Sequence, residues 1–233
     1  DQNIPFIDYL RKVQNTYKGP KLFGLPHFTG GLVGYMGYES ISWLEDIPIY
    51  NNTQYPDAIF MLYKELIAFD HLQNQIILFY NVNIDKGIDL KIAYQDAQAR
   101  IDQIGEDLHT DIDYQTPFHK KKSIINSNFT QKEFKKAVLQ VKEYIKAGEV
   151  FQLVLSQRFH RHTSADALSL YRALRSINPS PYMFHLHMEK IDIIGASPEL
   201  LVKVENDEIQ IRPIAGTRQR GGNEKEDNKL KQE

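Results

Sequence analysis

The chain has no cysteine anywhere in its 233 residues. That excludes a disulfide framework and any thiolate metal site. It has no apolar run near the ~20 residues needed to cross a bilayer. Residues Asp1 to Phe6 carry neither a basic n-region nor an apolar h-region, so the start does not read as a signal peptide. Neither sign of charge dominates. The net charge is −2, with lysine and arginine spread along the chain, which leaves no nucleic-acid footprint. A soluble, cytoplasmic protein is the expectation. What is present is ordinary for a globular protein: 42% hydrophobic residues and 25% charged, enough to bury a sizeable core in one large domain or two small ones.

The spacing of apolar residues predicts a helix over Ile4–Tyr17, with Phe6, Leu10, Val13 and Tyr17 at helical intervals and Pro5 in the first turn. Gly30–Tyr38 (G-G-L-V-G-Y-M-G-Y) reads as a glycine-rich strand, which means either close backbone approach or a loosely packed edge. Ala58–Asp70 and Gln75–Asn83 read as a hairpin around His71–Asn74. A helix over Gly87–Ile104, with Ile88, Ile92 and Ala99 inward, is followed by a polar linker, Gly105–Ser127. Thr130 and Glu133 form a capping-box pattern for a helix that ends at Gly148, its apolar face running from Phe134 to Ile145. Val150–Phe159 then reads as a strand and Ser164–Ser176 as a helix. N-P-S-P (Asn178–Pro181) cannot continue that helix. Strand-like runs follow at Tyr182–Met188, Ile191–Ala196, Leu200–Val204 and Glu208–Ile214, the last two joined at Asn206-Asp207. The final charged stretch, Glu224–Glu233, has one apolar residue, Leu230, and no closing cap; either the tail is disordered or the native chain continues. Helices interleaved with antiparallel hairpins make an α+β protein.

Three segments carry chemistry. In R-P-I-A-G-T-R-Q-R-G (Arg212–Gly221) a strand ends in a glycine turn beside a hydroxyl, flanked by arginines. Backbone N–H groups and guanidinium forks of this kind suit a carboxylate or phosphate, although a solvated turn has the same residues. In G-A-S-P-E (Gly195–Glu199) a carboxylate follows a small-residue bend; in a cleft it would serve as general acid or base, and on a loop it would be inert. In V-F-Q-L-V-L-S-Q-R (Val150–Arg158) a polar Gln152 interrupts an apolar strand and needs a partner if buried. His185 and His187 share a strand face, but no acidic residue stands at obvious ligand spacing, so they read as packed or partly exposed. His160 and His162 read as solvated loop residues.

Taken in order, V-F-Q-L-V-L-S-Q-R, N-P-S-P-Y-M-F, G-A-S-P-E-L-L and R-P-I-A-G-T-R-Q-R-G, preceded by F-T-G-G-L-V-G-Y-M-G-Y-E (Phe28–Glu39), resemble the chorismate-utilising enzymes from about Pro26 to the end. Within that family the chain resembles the anthranilate synthase component I group. Aminodeoxychorismate synthases typically carry a nucleophilic lysine where this chain has Ala215, and the water-using members carry a lysine base where it has Gln152. A neutral amide cannot deprotonate water near pH 7, whereas ammonia needs no base.

The resemblance implies large, mostly antiparallel sheets flanked by helices, in two intertwined parts. These would be an N-terminal regulatory part over 1–115 and a chorismate-binding catalytic part over 116–233, both incomplete. It implies conversion of chorismate and ammonia to anthranilate and pyruvate in tryptophan biosynthesis, with ammonia drawn from glutamine by a partner glutamine amidotransferase subunit. L-tryptophan would inhibit by feedback. Glu199 and Gln152 are the implied catalytic residues. Ala215, Gly216 and Thr217 would bind chorismate, and Asn178, Pro179, Pro181, Tyr182 and Met183 would line the tryptophan pocket. The cofactor implied is Mg²⁺, whose glutamate ligands are expected beyond Glu233, so no metal ligand is assigned here and these residues alone are expected to be inactive. The alternatives are aminodeoxychorismate synthase component I, disfavoured by Ala215, and a non-catalytic module that binds tryptophan or a partner.

Overall fold

The computed structural model describes residues 4–20, 22–48, 55–111, 123–212 and 221–232. The chain divides into two compact units, Asp1–Tyr114 and Gln115–Glu233. It is α+β throughout, and every strand pair is antiparallel and two-stranded among the described residues.

In the first unit, helix α1 (Phe6–Thr16) starts after Pro5 and is anchored by Phe6, whose ring lies 4.9 Å from Trp43 and 6.1 Å from Phe60. Strand β1 (Gly31–Met36) pairs along its length with β2 (Ala58–Tyr63). The glycines of β1 mark close approach: a Cβ at Gly34 would overlap the Ile59 carbonyl and the Phe60 Cα. The expected strand stops at Met36, because Tyr38–Trp43 turns into a 3-10 helix after Gly37 donates its N–H to the Asp57 carbonyl. The long run Ala58–Asp70 is two strands. It breaks at Lys64, so that β2 serves β1 while β3 (Glu65–Asp70) forms the hairpin with β4 (Gln75–Tyr80). Asp70 accepts the N–H groups of Leu72 and Gln73 to close that turn.

Helix α2 (Leu90–Asp107) begins at Asp89, whose carboxylate accepts from the N–H groups of Lys91 and Ile92. The covered face differs from the expected one. Ile88 falls outside the helix, Ile92 and Ala99 are exposed, and the covered stripe is Ala93, Ala97, Ile101 and Ile104. Arg100 ties α2 to β3 through a two-pronged pair with Glu65, both bonds 2.8 Å, and that hydrogen bonding holds the Glu65 carboxyl below its usual range.

In the second unit, α3 (Gln131–Ala147) has the capping box read from Thr130 and Glu133 and ends at Gly148 in the left-handed conformation. Of its apolar stripe, Val138, Tyr144 and Ile145 remain exposed. The strand expected over Val150–Phe159 is not formed. Only Phe159 and His160 (β6) pair, with Asn126 and Ser127 (β5). Alternating side chains make a strand only where a neighbour supplies the ladder, and Phe151 and Val154 stay exposed. Helix α4 (Ala167–Ile177), capped by Asp166, packs on the hairpin of β7 (Tyr182–Met188) and β8 (Ile191–Ser197). A small hairpin, β9 (Lys203–Glu205) and β10 (Glu208–Gln210), turns at Asn206 and Asp207, both at positive φ as a tight primed turn requires. Helix α5 (Glu224–Gln232) follows Asn223, whose side chain accepts from the Glu226 N–H.

Only Ile104 and Met188 are buried among the described residues. The elements are well formed, yet most of their apolar faces are left uncovered.

Candidate functional site

The β7–β8 hairpin brings two of the singled-out segments to one place. Its register pairs Tyr182 with Ser197, Met183 with Ala196 and Phe184 with Gly195. N-P-S-P-Y-M therefore enters the hairpin at the end where G-A-S-P-E leaves it. Directly paired residues share a face and successive ones alternate. Met183, His185, His187, Asp192 and Ala196 thus occupy one face, and Tyr182, Phe184, Gly195 and Ser197 the other.

Asn178 ends α4, its N–H donating to the Leu174 carbonyl at 2.8 Å. Pro179 and Pro181 carry the exposed chain into β7, and Met183 is half-buried. On the other strand Gly195 has no room for a side chain, because the Phe184 ring occupies the space a Cβ would take. Ser197, the last residue of β8, bonds Glu199 twice. Its hydroxyl accepts from the Glu199 N–H at 3.3 Å and donates to the Glu199 carbonyl at 3.2 Å. Glu199 is exposed. Gln152 lies in the segment between α3 and β6 and is also exposed, so the buried partner it would otherwise need is not required. Ala215, Gly216 and Thr217 lie outside the described residues.

Sequence reasoning missed Asp192. The carboxylate Oδ1 of Asp192 contacts both His185 Nε2, at 2.8 Å, and His187 Nδ1, at 2.9 Å. The hydrogen bond from His185, then that from His187, holds the Asp192 carboxyl below its usual range. Tyr171 of α4 stacks on His185 at 6.1 Å. The signal was available: once the turn at Glu189-Lys190 is counted, Asp192 falls opposite His187. His160 and His162 meet edge to face at 5.0 Å, and Arg161 between them donates to the Ser123 hydroxyl. Among the described residues no group of three or more histidine, aspartate or glutamate side chains is arranged to hold a metal ion, and no helix is long and apolar enough to cross a membrane.

Comparison with known proteins follows the same line. The family described as chorismate binding enzyme matches residues 3–233. Anthranilate synthase component 1 of Acetivibrio thermocellus is 38% identical over 237 aligned residues, covering 97% of this chain and 47% of that protein. A probable anthranilate synthase component 1 of Schizosaccharomyces pombe is 40% identical over 212 residues, covering 88% of this chain and 43% of that protein. Among solved structures, anthranilate synthase component I from Streptococcus pneumoniae TIGR4 superimposes with a TM-score of 0.72 at 29% identity, covering 88% of this chain and 46% of that one. The chain spans about half the length of the relatives it matches.

Proposed function

The chain belongs to the chorismate-binding enzyme family, and from that premise we propose that it is part of an anthranilate synthase large subunit. The reaction is chorismate plus ammonia to anthranilate, pyruvate and water. The observation that carries this reading is the match, over nearly the whole chain, to proteins named anthranilate synthase component 1. The residues that sort the family support it. Ala215 offers no amine to attack the ring, and Gln152 offers no base to activate water, so free ammonia is the fitting nucleophile.

In this mechanism Glu199 gives a proton to the departing ring hydroxyl while ammonia adds to the ring, and loss of pyruvate then makes the ring aromatic. Gln152 lies along the ammonia's approach, and Ala215, Gly216 and Thr217 bind chorismate. A partner amidotransferase supplies ammonia from glutamine. L-tryptophan inhibits by binding at Asn178–Met183, with Met183 as the principal apolar contact. The regulatory and catalytic roles divide near residue 115. Mg²⁺ is the cofactor of the whole enzyme. When bound it would stabilise negative charge on the substrate; among the described residues no group of three or more acidic or histidine side chains is arranged around a common point, and no ligand residue is named.

The test is anthranilate fluorescence from chorismate, ammonium and Mg²⁺, run on the full-length polypeptide carrying these residues and on the 233-residue chain alone. Fluorescent product from the former and none from the latter is expected. Aminodeoxychorismate in place of anthranilate would overturn the assignment, and no turnover by the full-length polypeptide would leave a binding module.

A further inference from the structure

Glu199 is two residues beyond the last rung of the β7–β8 ladder, and its place is set by what spans that gap. Ser197 is itself held by its pairing with Tyr182. Its hydroxyl then takes both backbone groups of Glu199, the N–H at 3.3 Å and the carbonyl at 3.2 Å. Pro198 between them has its φ held by its ring. The backbone of an exposed loop residue is thereby referred to a paired strand through the Ser197 side chain. Phe184, packed over Gly195, occupies the same face as Ser197 two pairs further into the ribbon.

We propose that Ser197 is a positioning residue for Glu199, holding the carboxyl's backbone so that the acid meets the departing hydroxyl. This rests on the role given to Glu199 above. A hydroxyl that only trimmed a turn would affect folding and leave proton transfer alone. One that aims an acid affects kcat, because proton transfer depends on reach and alignment.

The experiment uses the full-length enzyme with ammonium as nitrogen source and measures kcat, KM for chorismate and the pH profile of kcat for Ser197→Ala, Ser197→Thr, Glu199→Gln and the double variant Ser197→Ala/Glu199→Gln. Ser197→Ala is expected to lose about tenfold or more in kcat, since small misplacements of a reacting group cost on that scale, with KM little changed. Ser197→Thr keeps the hydroxyl and recovers most of the rate. In the Glu199→Gln background the alanine costs nothing further, because the group it aims is already gone. Equal losses from Ser197→Ala in both backgrounds, or no loss at all, overturn the inference. Should Ser197→Ala fail to fold, the threonine variant decides: a full loss of kcat in a protein that melts normally refutes a role carried by the hydroxyl. If Glu199→Gln keeps full kcat, the role of Glu199 falls and this inference with it. If that variant is impaired while Ser197→Ala is not, only this inference falls.

Discussion

Gly34→Ala and Gly105→Ala should move stability in opposite directions. At Gly34 the new methyl would overlap the Ile59 carbonyl oxygen and the Phe60 Cα, which are backbone atoms of the paired strand and have no rotamer to escape into. Overpacking of this kind costs about 1–3 kcal/mol. Removing a strand glycine returns roughly 0.5–1 kcal/mol of chain entropy. The net loss therefore lies between about 0 and 2.5 kcal/mol, centred near 1 kcal/mol, or roughly 4–8 °C in melting temperature for a unit of this size. At Gly105, within α2, a methyl would sit 3.9 Å from Leu78 Cδ1, an ordinary contact. There the helix preference for alanine adds up to about 1 kcal/mol. Thermal and urea unfolding by far-ultraviolet circular dichroism would read both changes, and hydrogen exchange would locate the Gly34 effect in β1 and β2. A Gly34→Ala chain that melts at or above the parent temperature would refute the reasoning, since the close strand approach could not then be real.

Three further outcomes follow. Asp192 has a folded pKa below its ordinary value, so its contribution is present above the usual aspartate range and is lost as pH falls through the lowered value; melting curves from pH 6 to 3 should fall less steeply for Asp192→Asn, and identical slopes would remove the histidine bonds as the cause. Thr130→Ala takes away the hydroxyl that accepts the Glu133 N–H, which should destabilise α3 by about 1 kcal/mol, with faster amide exchange in its first turn as the readout. In the full-length enzyme, Met183→Thr should raise the tryptophan concentration for half inhibition about tenfold, roughly 1.4 kcal/mol; unchanged inhibition would mean that Met183 serves packing and not the effector.

Where local chemistry decides an element, the sequence was a good guide. The capping box and left-handed glycine of α3, the paired positive-φ residues at Asn206-Asp207 and the bounds of β7 were all readable because the residues concerned act within a few positions of themselves. What failed depended on neighbours far along the chain. Ala58–Asp70 looked continuous because nothing local says that its two halves serve different partners. Val150–Phe159 has a strand's alternation, but a ladder needs a second strand. The inward face of α2 was misphased by one residue, about 100° on a 3.6-residue repeat, because which stripe is covered depends on what the helix packs against: it runs through Ala93, Ala97, Ile101 and Ile104, one position on from Ile92. At the site, Asp192 was missed for a different reason: its partners lie only five and seven residues away, and counting across the Glu189-Lys190 turn places it opposite His187.

That register also sets a limit on chain length. A residue gained or lost inside β7 or β8 must be absorbed as a bulge, or it turns one strand's faces over relative to the other. The Tyr182–Ser197 and Met183–Ala196 pairs could not survive the second outcome. The number of residues within each of the two strands is therefore not free to drift, even where the individual side chains are replaceable, whereas the Glu189-Lys190 turn between them can change length without moving these pairs. Variation inside β7 and β8 should be tolerated as substitution and resisted as insertion or deletion.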